Sequence, residues 1–154
     1  MDLSDLIEVS AIMPALKANS KKQVLQLLSE KAARITGLPE REIFDTVLRR
    51  EKLGSTGVGN GIAIPHGKIP GVRRITGVFA RLEQPVDFDS LDDQPVDLVF
   101  LLLAPEGAGA DHLKALSRIA RVLRDGDTVA KIRGTSEAAA IHAFLSQTPA
   151  SHAA

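Results

Sequence analysis

Five of the twelve glycines fall in one stretch, Gly54-Ser55-Thr56-Gly57-Val58-Gly59-Asn60-Gly61-Ile62-Ala63-Ile64-Pro65-His66-Gly67-Lys68. Glycine permits the dihedrals and close approach with which successive backbone N–H groups form an anion-holding concavity. Ser55 and Thr56 can add hydroxyl donors, so Ser55, Thr56, Gly57, Gly59, Gly61 and Gly67 are the candidate phosphate-holding residues. A flexible Gly/Ser linker would lack the spaced Val58, Ile62 and Ile64 that tie this segment to a sheet. Two familiar phosphate motifs fail. After four residues following Gly61 stands His66 in the place where a P-loop needs glycine, and Lys68 is followed by Ile69 rather than a hydroxyl residue. Gly57 to Gly61 reads G-x-G-x-G, which is not the dinucleotide fingerprint. A nucleotide enzyme is not favoured, and no cofactor is implied.

Where those motifs would place a lysine or a helix start stands Pro65-His66-Gly67, with proline stiffening one side and glycine leaving the other open. His66 is expected to face solvent. At pH 7 an unperturbed imidazole is about three-quarters neutral, so one ring nitrogen has a lone pair able to attack phosphorus without a separate base. Taken alone, His66 reads equally as a surface histidine in a turn. His112, opening a helix after a glycine-containing linker, could face the same anion, and Arg50 is close enough in sequence to fold back over the loop. Either could stabilise phosphoryl oxygens, where one well-aimed donor is worth about 3 kcal/mol in the transition state. Equally, His112 reads as a helix-start residue and Arg50 as a solvated charge offsetting the helix dipole. His142 and His152 are assigned to structure or solvent. His66, His112 and Asp111 lack metal-ligand spacing, so no metal is expected.

The elements around these residues can be placed from periodicity and caps. Ser20 and Gln23 form a capping-box pattern, and Val24, Leu27, Leu28 and Ile35 recur at helical spacing, which predicts a helix over about 21–36 ended by Gly37. Pro39 suits the first turn of a second helix with a buried stripe of Ile43, Phe44, Val47 and Leu48, stopping near Gly54. Ile62 and Ile64, two apart, fit a half-buried strand, and further strands are expected at Ile75 to Leu82 and Val96 to Leu103. The last run is almost continuously apolar and reads as a central strand covered on both faces. Leu113, Leu116, Ala120 and Leu123 resume helical spacing with Asp111 as a candidate cap. A short segment near 129–133 and a last helix over about 136–145 follow. The expected fold is α/β, a mixed β-sheet of about four to five strands flanked by helices on both faces. Residues 1–146 are expected to form one domain and 147–154 a flexible C-terminal tail.

Composition narrows the function further. Hydrophobic residues at 44% and charged residues at 25% indicate a folded chain. Lys plus Arg and Asp plus Glu are 19 each, which removes the net electrostatic drive for nucleic acid. Five Phe with no Trp or Tyr make a base-stacking platform improbable. The chain has no cysteine, and its N-terminus shows neither a basic stretch nor an apolar core of a signal peptide. A cytoplasmic protein without membrane insertion is expected.

The run Arg50-Glu51-Lys52-Leu53 continued through Gly54 to Lys68 resembles the active-site signature of enzyme IIA domains of the bacterial phosphotransferase system, specifically the nitrogen-regulatory type. Similarity extends more loosely through Gln94-Pro95-Val96-Asp97-Leu98 and His112-Leu113, covering about Ile7 to Leu145. The resemblance implies a mixed sheet flanked by helices, phosphorylation of His66 at Nε2, His112 as its neighbour and Arg50 near the phosphate. It also implies a phosphorylated HPr-like carrier as donor, and regulation of targets such as sensor kinases or potassium-transport proteins. Relatives of the mannitol and fructose class share the fold and active histidine but serve a sugar permease, often through a IIB domain for which this chain has no room. That and the glycine-rich signature favour the regulatory branch. The alternatives are a sugar-transport IIA and, from another class, a module that senses a small anion non-covalently.

Overall fold

The computed structural model describes residues 2–147; residues 148–154 of the expected tail, His152 among them, lie outside the described residues. Ser20 accepts a hydrogen bond from the Gln23 N–H, and Gly37 closes the helix in the left-handed region at φ 76°, so α1 spans Lys21–Thr36 as its caps predict. The Gln23 side chain accepts from the Asn19 N–H rather than the Ser20 N–H, so the capping box is only half made. Pro39 is the N-cap of α2, Glu40–Leu53, one residue outside the position expected for it.

The sheet is mixed. In hydrogen-bonded order it runs β1 (Ile12–Leu16), β5 (Thr76–Val86), β6 (Val96–Ala104), β3 (Ile62–Ala63) and β2 (Gly57–Gly59), with β4 (His66–Lys68) also on β6. β6 is antiparallel to β5 and parallel to β3 and β4. Its pairs Ile62 with Leu98, Ala63 with Val99 and His66 with Leu102 keep one register, so β3 and β4 are a single line interrupted at Ile64-Pro65. Proline has no N–H to continue the ladder, though its carbonyl still accepts from the Leu102 N–H at 2.9 Å. Among the described residues, six strands therefore fill five positions across the sheet.

Alternation along β6 explains its continuous hydrophobicity. Leu98, Phe100 and Leu102 enter one core with Ile119, Val122, Ile132 and Ile141, while Val99, Leu101 and Leu103 enter the other with Leu25, Leu28, Ile43 and Val47. The first core is covered by α3 (Ala110–Arg124), α4 (Gly126–Arg133) and α5 (Ala138–Ser146), the second by α1 and α2. None of the described helices is long and apolar enough to cross a membrane.

Several local expectations are corrected. Leu113 is 68% exposed, and the buried residues of α3 are His112, Ala115, Ile119, Val122 and the expected Leu123, with Leu116 and Ala120 packed against the same core. Asp111 lies inside the first turn of α3, whose N-cap is Gly109. Val58 is exposed, and Ile62, Ala63 and Ile64 are all buried, because the strand is covered on both faces rather than one. The segment near 129–133 is part of α4, which Asp125 caps through the Thr128 N–H.

Candidate active site

His66 starts β4, and strand alternation turns it to the same face as Ile62 and Ile64, the face covered by α3. The inward turn of α3 delivers His112 to meet it. The two rings are 5.7 Å apart between centroids and meet edge to face at 69°. From the other side comes the end of α2, where the Arg50 Nη1 donates to the Gly54 carbonyl at 2.9 Å. His66, His112, Arg50, Leu53, Gly67 and Lys68 line an open pocket of about 610 Å³, with Arg49 and Lys52 at its wall. Four cations and no carboxylate line it among the described residues, a charge pattern suited to an anion.

The His66 ring is half-buried rather than fully presented to solvent, and its Nδ1 lies 2.9 Å from the Ile64 carbonyl. A carbonyl can only accept, so Nδ1 carries the proton and Nε2 keeps the lone pair. Burial is the main influence pulling the His66 pKa below its ordinary 6.5; Arg50 adds to it, while the Ile64 hydrogen bond and the Glu51 charge oppose. His112 is 7% exposed and also lowered, first by burial, then by His66 and Lys68. Its Nε2 is buried without a hydrogen-bond partner among the described residues. A buried ring nitrogen without a partner is a ready donor or acceptor for a group seated beside it.

The structure gathers His66, His112, Arg50 and Gly67, and leaves the other loop candidates elsewhere. Ser55 donates to the Phe88 carbonyl and accepts from the Gly57 N–H. Thr56 is buried, with both its N–H and hydroxyl given to the Glu51 carboxylate. Gly59 and Gly61 flank the tip of the β2–β3 turn, where Arg133 bonds the Asn60 carbonyl and pairs with Asp97. The donors of Ser55, Thr56 and Gly57 are occupied within the protein, and Gly59 and Gly61 stand away from the pocket, so an anion there would meet cationic side chains rather than a glycine nest. His142 is structural, its Nε2 donating to the Ile7 carbonyl at 2.9 Å.

Residues 5–148 match the family model described as the phosphoenolpyruvate-dependent sugar phosphotransferase system, EIIA 2. The chain belongs to this type 2 EIIA family. It is 61% identical to a nitrogen regulatory protein of Bradyrhizobium diazoefficiens, over 99% of this chain and 100% of the relative. Identity to the nitrogen regulatory protein of Escherichia coli K12 is 40%, over 96% of this chain and 91% of that one. The crystal structure of nitrogen regulatory protein IIA-Ntr from Neisseria meningitidis superposes with a TM-score of 0.89 at 36% identity, covering 93% of this chain and 98% of that one. These relatives identify the EIIA chain as a phosphocarrier of the nitrogen type, and the sugar-permease alternative is not favoured.

One buried group in this EIIA site escapes a reading of motifs. Glu51 sits inside the signature run yet looks in sequence like any charge near a helix end; the structure buries it to 5% exposure against Lys21 and Thr56. The only sequence signal was its place one residue after Arg50.

The lowered histidines of this EIIA protein have a sign that can be checked. An unfolded chain takes up protons at its histidines near 6.5, whereas folded His66 and His112 resist until lower pH. The folded state then binds fewer protons, so stability should be full above 6.5 and decline as pH falls through and below that value. Thermal melts across pH should show this decline reduced in His112→Gln; an unchanged pH dependence there would contradict the assigned environment.

Proposed function

We propose that the His66 Nε2 accepts a phosphoryl group from a phosphorylated HPr-like carrier protein, and that the resulting phosphorylation state regulates target proteins such as sensor kinases or potassium-transport proteins. Residues 1–146 act in this as one cytoplasmic domain. The observation that carries the reading is the Nδ1 contact to the Ile64 carbonyl: it pins the proton on the near nitrogen and leaves the far one nucleophilic beside four cations.

In the transfer, the Nε2 lone pair forms the new bond to phosphorus while the bond between phosphorus and the donor atom breaks, its electron pair leaving with the donor. The His66 ring takes up the positive charge, with the Nδ1 proton still held by Ile64, and no separate base is needed. Arg50 lies at the pocket to offset the charge on the phosphoryl oxygens, and the unpartnered His112 Nε2 can donate to one of them. Nothing in this scheme calls for a bound cofactor.

Incubation with a phosphorylated carrier should add one phosphate to the intact protein by mass, and mild acid should release it, as expected of a phosphoramidate. A mass increment stable to acid, or none at all with a carrier that phosphorylates another EIIA protein, would overturn the reading.

A further inference from the structure

The buried carboxylate of Glu51 has no part in the transfer just described, yet it begins an unbroken series of contacts that ends on the reactive ring. Lys21 Nζ, at the start of α1, lies 2.7 Å from Glu51 Oε2. Lys21 is itself held over the Phe88 ring and against the Phe88 carbonyl. The Glu51 carboxylate accepts the Thr56 N–H at 3.2 Å to one oxygen and 3.3 Å to the other, and the Thr56 hydroxyl as well. The Thr56 carbonyl accepts the Ile64 N–H at 3.0 Å. The Ile64 carbonyl accepts from His66 Nδ1 at 2.9 Å. Glu51, Thr56 and Ile64 are each 5% exposed, so water does not compete for these groups.

We propose that Glu51 is a positioning residue for phosphoryl transfer: clamped by Lys21, it holds Thr56, which holds Ile64, whose carbonyl orients the His66 ring and keeps its proton on Nδ1. The inference rests on His66 being the phosphoryl acceptor. The N–H and carbonyl of Thr56 belong to different peptide groups, as do those of Ile64, so the series transmits position rather than a proton. Pro65 explains why such a clamp is needed. The ladder along β6 is interrupted at Ile64-Pro65, immediately before the histidine, and the Thr56 to Ile64 bond restores a tether there. The same clamp governs Arg50, because Glu51 and Thr56 bracket Gly54, whose carbonyl holds the guanidinium.

A buried ion pair loses most when one partner alone is removed, so the decisive variant removes both. In Lys21→Met/Glu51→Leu, the ¹⁵N shifts of the His66 ring should move from one tautomer toward a mixture. The transfer rate at saturating donor should fall roughly ten- to a hundred-fold, the cost of a small misplacement of a reacting group. KM for the donor should stay within about two-fold, because the docking surface is untouched. Lys21→Met/Glu51→Gln, which keeps an acceptor for Thr56 without leaving Lys21 uncompensated, should retain the tautomer and a rate within about three-fold of the unaltered protein. Thr56→Val, which removes only the hydroxyl, gives the same test in milder form should Lys21→Met/Glu51→Leu fail to fold. Unaltered ring shifts and rate in folded Lys21→Met/Glu51→Leu, or in Thr56→Val where that variant stands in, would overturn the clamp. So would a Lys21→Met/Glu51→Gln variant as impaired as Lys21→Met/Glu51→Leu. The NMR measurement needs no donor: were the unaltered protein to take up no phosphate, the acceptor reading would fail while the ring shifts still decided the clamp.

Discussion

His66→Ala should take up no acid-labile phosphate from any carrier, while His112→Ala should remain competent and transfer more slowly. The chain has four histidines, and their environments separate them. His142 spends its Nε2 on the Ile7 carbonyl. Both remaining described rings line the open pocket, but His112 is 7% exposed with its Nε2 buried, whereas His66 is only half-buried, so a carrier brings phosphorus into line with His66. Removing His112 takes away one donor and not the nucleophile, a loss of about 3 kcal/mol or roughly a hundred-fold in rate. The check is intact mass before and after acid, with single-turnover rates for each variant. Full incorporation in His66→Ala would move the acceptor elsewhere and defeat the mechanism.

Phe100→Ala should give the largest loss of stability. Phe100 lies fully buried at the middle of β6, opposite Phe79 on β5, with ring centroids 6.1 Å apart and edge to face. A Cβ placed on Gly77 would come within 2.6 Å of the Phe100 ring, so glycine at that position is what lets the ring lie against β5. Truncation would lose transfer energy and leave a cavity that rigid neighbouring strands cannot fill, together costing about 3–5 kcal/mol. Against a net stability of roughly 5–15 kcal/mol this is a large fraction, and it should lower the melting temperature on the order of 10 °C. Leu113→Ala, at a leucine 68% exposed, should change stability by less than about 0.5 kcal/mol. Denaturant melts of the two variants check the contrast, and equal losses would contradict the orientation of α3.

That orientation shows where reading the chain alone goes astray. Of the apolar stripe Leu113, Leu116, Ala120 and Leu123, the last is buried and Leu116 and Ala120 pack against the core, but Leu113 points outward and His112 and Ala115 take the inward positions at that end of the helix. Periodicity weighs a histidine as polar, and the gain from placing it beside His66 is invisible until both elements are packed. β1 was missed for a related reason. Met13-Pro14-Ala15 lacks alternation and contains proline, which an edge strand tolerates, and only its pairing with β5 makes it a strand.

What the chain determined by itself is whatever depends on neighbours in sequence. Ser20 and Gly37 set the ends of α1, eight consecutive residues from Val96 to Leu103 announce a strand covered on both sides, and Pro65-His66-Gly67 within its glycine-rich signature marks the proposed phosphoryl acceptor. Tertiary structure alone decided that Ser55 and Thr56 are spent as internal donors, that Glu51 is buried against Lys21, and that His112 meets His66. The reason is physical: caps, turns and strand alternation are governed by contacts a few residues apart. The partner of a buried polar group is chosen by whichever distant element the packed core brings within hydrogen-bonding distance.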